Sequence, residues 1–285
     1  MKIREQAGER AFGIAVNITL GALGFLMLAP LLRVLSTSLS SPFAVDSGQV
    51  LFWPVELTFA SWERILQRQP LWDALLITVS VTVIGVVLCL LMTALMAYPM
   101  SKGEFKPARL LALMVIITMV FRYPIIPYFL TIRELGLYNT YLVLIVPHLV
   151  TAYNLIIMRT FFRGMPKELE EAAWMEGCGY IGTLFRIVLP LSKAVLATLG
   201  IFYAVMLWNQ FMNPLLFIND PKLYPLQLRL RDYIVTIDSN TVGIGPEGEQ
   251  YYNNATLRAA TVLFATIPII VVYPFLQRYF VKGAT

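Results

Sequence analysis

The sequence predicts an all-α, polytopic membrane protein with six transmembrane helices and both termini on the cytoplasmic side. Three observations predict it. Of the 285 residues, 58% are apolar and 14% charged, against about 45–50% and roughly a quarter in a soluble domain. The charges cluster, so that six long tracts hold almost none. Lysine and arginine also divide unevenly between the loops that join those tracts. The same composition excludes a disordered chain. A disulfide scaffold is excluded as well, since Cys89 lies in an apolar run and Cys178 in a charged segment. The formal charge of +5 fits cationic loops on a membrane protein better than nucleic-acid binding.

Each tract is measured against the ~20 apolar residues that cross a hydrocarbon core. Ala11–Leu32 is the first. It follows the basic segment Met1–Arg10, but its 22 uncharged residues exceed the roughly 7–15 of a signal-peptide core, so an uncleaved span is expected. Ala74–Ser101 is the second, and Leu110–Ile132, interrupted only by Arg122, the third. Leu135–Met158 contains the only histidine, His148; Ala194–Asn219 and Ala259–Gln277 complete the set. Backbone groups in lipid must bond internally, which favours helices. No stretch shows the short polar/apolar alternation of a membrane barrel.

Orientation follows from the lysine and arginine bias. With the amino terminus inside, thirteen basic residues fall on that face: Lys2, Arg4, Arg10, Lys102, Lys106, Arg109, Arg159, Arg163, Lys167, Arg186, Lys193, Arg278 and Lys282. Seven, spread over longer loops, fall outside. Residues 1–285 then read as one transmembrane domain. Residues 36–73 and 220–258 form outer loops, and residues 161–193 an inner loop. No internal repeat or inverted pair of halves is visible, which argues against a secondary carrier.

The inner loop carries the strongest pattern. Glu168, Glu170 and Glu171 suit the positive end of a short helix, and Leu169, Ala172 and Ala173 are expected on one face. Gly177 and Gly179 break that helix, and a second amphipathic piece runs to Pro190. A plain connector lying in the headgroup zone would look similar. The spacing is more specific: Glu171-Ala172-Ala173, three residues, Gly177, nine residues, then Ile187-x-Leu189-Pro190. It matches the EAA signature of ABC-importer permeases at every fixed position.

The chain resembles the carbohydrate-uptake branch of those permeases, the maltose type, over nearly its whole length. Ala97-Tyr98-Pro99, Pro166-x-Glu168-Leu169 and Trp208-Asn209 support this. The phrase from Tyr153-Asn154 to Phe161-Phe162 is similar to the subgroup importing larger or acidic oligosaccharides, such as alginate or other uronates. Family members commonly have Asp-Gly-Ala where this chain has Glu176-Gly177-Cys178. The resemblance implies a bacterial inner-membrane permease without catalysis or cofactor of its own. It also implies a second permease, an extracytoplasmic solute-binding protein and two ATPase subunits that bind ATP and magnesium. Consistently, the chain has no G-x-x-x-x-G-K-[ST], the phosphate-cradling loop of such ATPases. Met165–Pro190 would be the coupling helices seated on the ATPases. Glu168, Glu171, Ala172, Ala173, Gly177, Ile187, Leu189 and Pro190 would carry the contact, with Glu171 facing an ATPase arginine.

The apolar tracts also hold candidates for a substrate path. Arg122 is a full charge inside a span, expensive enough to mark a functional site. Related permeases often have small residues where this chain has Phe121-Arg122-Tyr123. Facing a cavity, Arg122 would bind a carboxylate through two bonds; otherwise it pairs with a carbonyl or a partner's acid. Tyr123, Tyr128, Tyr153, Tyr203 and Trp208 are candidates for stacking on sugar faces, or for ordinary packing. Asn154, Asn209 and Asn213 offer amides to hydroxyls or to neighbouring helices; Asn209 and Asn213 are expected on one helical face. His148 has no metal-ligand neighbours, and a helix–helix hydrogen bond is expected. In the second outer loop Gly243, Gly245 and Gly248 suit a protruding turn, which in the family reading reaches the binding protein. An intramembrane enzyme would need more polar groups within spans than these. A permease for a peptide, amino acid or phosphate shares the inner-loop signature and is the alternative.

Overall fold

A computed structural model describes residues 7–121, 123–240, 243–244 and 250–283. These are helical apart from turns and one antiparallel ribbon, in which Gly243–Ile244 (β1) pairs with Gln250–Tyr252 (β2). The main helices are α1 (Ala7–Ser38), α2 (Gln69–Ser101), α3 (Ala108–Val120), α4 (Ile125–Glu134), α5 (Ala152–Arg163) and α6 (Lys167–Met175). They continue with α7 (Lys193–Trp208), α8 (Met212–Phe217), α9 (Leu226–Asn240) and α10 (Asn254–Gly283).

Three continuous stretches among the described residues are long and apolar enough to cross a membrane: Phe12–Ser38, Gln69–Ser101 and Asn254–Val271. Two bent pairs, Tyr141–His148 with Ala152–Arg163 at 48° and Tyr180–Leu191 with Lys193–Trp208 at 84°, bring the number to five if each is one span. The apolar α3, with 13 residues, is shorter than the roughly 20 that span a bilayer.

The third, fourth and fifth apolar tracts are therefore not uniform rods, and proline explains each interruption. Leu110–Ile132 divides into α3 and α4, with Phe121 extended and Pro124 opening the second helix. Proline has no N–H to give and pushes the preceding residue out of the helical region. Leu135–Met158 becomes two 3₁₀ turns, Tyr141–Leu144 and Val146–His148 around Pro147, before α5 begins. Ala194–Asn219 breaks after Trp208 and resumes at Met212. A continuous helix would need an N–H from Pro214 to Gln210; in the first turn of α8 that missing donor costs nothing.

The chain divides into two compact units. The first comprises Met1–Gln69 and Leu230–Ile267. In it, segments that the sequence separates into two outer loops fold together. Ser61 Oγ donates to Thr256 Oγ1 at 2.8 Å, and Asn253 Nδ2 to Asp46 Oδ1 at 2.7 Å. The Arg68 guanidinium lies 4.4 Å over the Tyr233 ring. The apolar residues of α1, by contrast, face outward, Phe12, Leu26 and Met27 among them. Such a surface suits lipid or another helix rather than water.

The second unit comprises Pro70–Arg229 and Pro268–Thr285, and α2 is central to its cores. Val81 and Cys89 pack with Tyr203, Leu207 and Phe217. Further along α2, Ala97, Tyr98 and Met100 pack with Met158 and Phe162 of α5 and with Leu184, Val188 and Leu199. At Gly85 the two helices approach so closely that an added Cβ would lie 2.6 Å from Leu207 Cδ1.

Candidate functional site

The signature segment is built on α6. Pro166 stands immediately before the helix, and Glu168 and Glu170 occupy its first turn, where the helix dipole favours carboxylates. The helix buries Glu170 and Ala173. Glu168, Leu169, Glu171, Ala172 and Met175 are exposed. Ala172 and Ala173, expected on one face, are thus divided: successive residues turn by about 100°, which places Ala173 inward and Ala172 outward.

Glu170 does not face water because Lys102, one residue past α2, donates its Nζ to the Glu170 carboxylate. The two side chains are 16% and 10% exposed. The same ammonium lies 4.4 Å from the Tyr98 ring centroid. Arg159 of α5 donates from Nε to Met100 O at 2.9 Å, so both neighbouring elements are tied to the end of α2. The sequence shows these charges but not their pairing, because 67 residues separate them.

The helix ends as its glycine requires. Gly177 has φ +83°, the left-handed region that residues with a Cβ rarely adopt. Its N–H bonds to Trp174 O at 3.0 Å, and the Cys178 N–H reaches back to Ala173 O at 2.9 Å. Those two bonds are the Schellman arrangement, which satisfies carbonyls left free at a helix end. The chain then turns through Tyr180–Thr183. Tyr180 donates from its hydroxyl to Glu104 Oε2 at 3.1 Å, and that bond holds the phenol above its usual pKa. A cavity of about 410 Å³ lies here, walled by Leu95, Tyr98, Lys102, Glu104, Tyr180 and Leu184.

The Ile-x-Leu-Pro part of the signature sits at a π-turn over Leu184–Val188, where the Leu189 N–H bonds to Leu184 O. Pro190 cannot donate to Arg186, and a π-turn is one way of accommodating such a gap. Ile187 and Leu189 are half-buried and Pro190 is exposed. The axis bends by 84° before α7.

A second cluster joins residues from the three interrupted tracts. The Tyr123 and Tyr128 rings are 4.4 Å apart. Asn213 Nδ2 lies 3.3 Å from Tyr128 Oη and 3.0 Å from His148 Nε2, so the expected helix–helix bond of His148 is made with α8. Phe217 meets Tyr128 edge-on at 5.3 Å. Tyr123 remains largely exposed.

Other candidates are not brought together. Asn209 caps α7 and donates to Val205 O at 2.9 Å, whereas Asn213 belongs to α8. The break between the helices removes their expected common face. Tyr153 is exposed against Phe202, and Asn154 is buried. Trp208 Nε1 is buried without a hydrogen-bond partner among the described residues. Tyr203 is fully buried, and its hydroxyl meets Thr93 Oγ1 at 2.6 Å and the Thr151 N–H at 3.2 Å. Stacking on a sugar is therefore closed to it. Gly243 pairs with Tyr252 in the ribbon. Arg122, Gly245 and Gly248 lie outside the described residues.

Comparison with known proteins adds a family to this geometry. Residues 95–285 match the family described as binding-protein-dependent transport system inner membrane component. Protein LplC of Bacillus subtilis is 35% identical over 274 residues, covering 96% of this chain and 93% of that one. The polygalacturonan/rhamnogalacturonan transport system permease protein YtcP, from the same organism, is 35% identical over 282 residues, 97% of either chain. Among solved structures, a chain of a bacterial ABC transporter involved in the import of the acidic polysaccharide alginate superposes with a TM-score of 0.89 at 31% identity. That match covers 98% of this chain and 100% of that one. The glycine-capped signature helix, the apolar helices and these likenesses agree: the chain belongs to the binding-protein-dependent transport system inner membrane component family, the membrane-embedded permeases of bacterial ABC importers.

Proposed function

We propose that this permease forms half of the translocation path for an acidic oligosaccharide and couples it to ATP hydrolysis by partner subunits. The observation that carries the coupling role is the mounting of α6. Lys102 and Glu170 fix it from behind and Gly177 ends it, so that Glu168, Leu169, Glu171, Ala172 and Met175 are presented outward. An exposed helix with acids at one end and apolar groups along its length suits a cleft on another protein. Residues 161–193 then form the coupling loop of a six-span domain with both termini in the cytoplasm. The bent pair Tyr141–His148 with Ala152–Arg163, α3 with α4, and α7 with α8 supply the spans that are not single rods. A second permease would cover part of the outward apolar surface, and lipid the rest. Two ATPases would engage α6, and residues 220–258 would face the solute-binding protein. ATP and magnesium would bind on the ATPases.

The acidic-sugar reading is supported by the names borne by YtcP and by the alginate importer. Tyr123 and Asn213 are its candidate contacts, with Tyr153, Asn154, Trp208, Asn209 and Arg122 as further positions to test. Reconstituting the full importer and measuring ATPase stimulation by its binding protein tests both parts. Stimulation is expected with uronate oligomers and not with neutral oligosaccharides, peptides or phosphate. Stimulation by a peptide or phosphate alone overturns the sugar reading. Unaltered stimulation in Glu171→Lys overturns the coupling reading.

A further inference from the structure

The end of α2, the start of α3 and the end of α5 enclose a groove of about 960 Å³. Lys106, Arg109, Arg159 and Arg163 line it, and among the described residues no carboxylate does. Lys102 also reaches the groove, but its ammonium is engaged by Glu170. The remaining cations come from two segments far apart in sequence, the start of α3 with the turn before it and the end of α5, and the fold gathers them at one place. Lys106, Arg109 and Arg163 are exposed and Arg159 half-buried, so these like charges repel one another across an open groove, and an anion among them relieves that repulsion. The positive end of α3 adds to the same field.

Along α3 the groove continues as an apolar wall. Leu110, Leu113 and Ile116 recur every three residues, and each is about half exposed. A polyanion in water has no use for such a wall; a molecule with an anionic head and a hydrocarbon tail does. All four cations belong to the face that the lysine and arginine bias assigns to the cytoplasm. Basic pockets between membrane helices on that side suit phosphate headgroups, and arginine binds phosphate through two parallel bonds.

We infer that this groove is a site for an anionic phospholipid of the inner leaflet, its phosphate held by Arg109, Arg159 and Arg163 and its chain lying along Leu110 and Leu113. The site concerns the permease itself and requires neither sugar nor ATPase. Its test is therefore independent of the transport reading.

The full chain, purified in non-ionic detergent, is titrated with dioleoylphosphatidylglycerol or dioleoylphosphatidylcholine and examined by native mass spectrometry. The anionic phosphatidylglycerol is expected to be retained in preference to the zwitterionic phosphatidylcholine. The triple variant Lys106→Gln, Arg109→Gln, Arg163→Gln should lower its retention at least about tenfold, since each cation near an anionic headgroup contributes about a factor of five. Leu113→Gln should weaken retention with no change of charge. A control of equal charge, Arg33→Gln, Arg133→Gln, Lys222→Gln, should behave as the parent. Equal retention of the two lipids, or a triple variant no different from the control, overturns the proposal. So does displacement by inorganic phosphate at equal concentration, which marks a free-anion site. Displacement by a soluble trigalacturonate assigns the groove to substrate. Loss of ATPase copurification with lipid retention unchanged assigns it to a protein contact.

Discussion

Lys102, one residue beyond the membrane-length helix α2, donates to Glu170 on the inward face of α6. The acid of the signature helix that meets the rest of the fold is thus Glu170, and its neighbour Glu171 is left free to face outward. The Lys102–Glu170 contact ties α6 to the end of α2.

Removing one member of that pair leaves the other poorly solvated. Glu170→Gln and Lys102→Met should each lower stability by about 3 kcal/mol, the lower end for a buried pair because both groups retain some access to water. The double variant Lys102→Met, Glu170→Leu should recover part of the loss, as apolar replacement of such pairs often does. Thermal unfolding in detergent measures the stability. ATPase stimulation, measured alongside, should fall more in the single variants than in the double.

Gly177 separates conformation from crowding. An added Cβ would meet nothing within 4 Å, yet φ is +83°. Asparagine tolerates that region and β-branched residues do not. Gly177→Asn should therefore cost less than about 1 kcal/mol and Gly177→Val about 2. If copurification of the ATPase is lost equally in both, the open space beside Gly177 is occupied by the partner. If it follows stability, the glycine serves the turn alone.

The signature segment was legible because its spacing is local: a helix, a left-handed glycine and a proline bend follow one another within 20 residues (Glu171–Pro190). The apolar tracts were equally legible as membrane material, but their interruptions were not. Pro124, Pro147 and Pro214 are visible in the sequence; whether proline bends a membrane helix or divides it depends on neighbours that resupply bonds. Pairings at long range were beyond reach. Lys102 with Glu170, His148 with Asn213, and the joining of Ser61 to Thr256 depend on which helices become neighbours. Tyr203 shows the same limit in reverse: a tyrosine among possible sugar contacts is enclosed by α2 and α7.

The contact between Gly85 and Leu207 is set by shape. Gly85→Ala must displace a side chain that is only 1% exposed. Overpacking of this kind costs about 1–3 kcal/mol, and Gly85→Val should cost more than Gly85→Ala. Adding Leu207→Ala should relieve the clash, so the double variant is expected to be more stable than the sum of the single losses predicts. A double-mutant cycle on thermal unfolding reads that coupling.

Tyr203 tests a purely structural role. Tyr203→Phe keeps the ring but leaves the Thr93 hydroxyl and the Thr151 N–H without the oxygen they meet. A buried polar group left unpaired costs about 1–3 kcal/mol. The melting temperature should fall while the half-saturating substrate concentration for transport stays unchanged, because the residue has no exposed surface.

The cluster around Asn213 should behave differently, since it has a buried side and an exposed one. The amide nitrogen contacts both Tyr128 Oη and His148 Nε2, and its two protons suffice for both if the ring nitrogen accepts. Asn213→Ala removes both bonds and should destabilise by about 1–3 kcal/mol, whereas Tyr128→Phe removes one and should cost about 1. Tyr123 adds little to this framework; its ring leans on Tyr128 and is largely exposed. Tyr123→Ala should therefore leave the melting temperature nearly unchanged. If the exposed ring stacks on the transported sugar, its half-saturating concentration should rise about three- to tenfold, matching the ~0.5–1.5 kcal/mol of an aromatic contact. Tyr123→Phe, which keeps the ring, should stay within about twofold of the parent. Equal transport by Tyr123→Ala and the parent removes this face from the path, and the cluster then serves only to join α4 to α8.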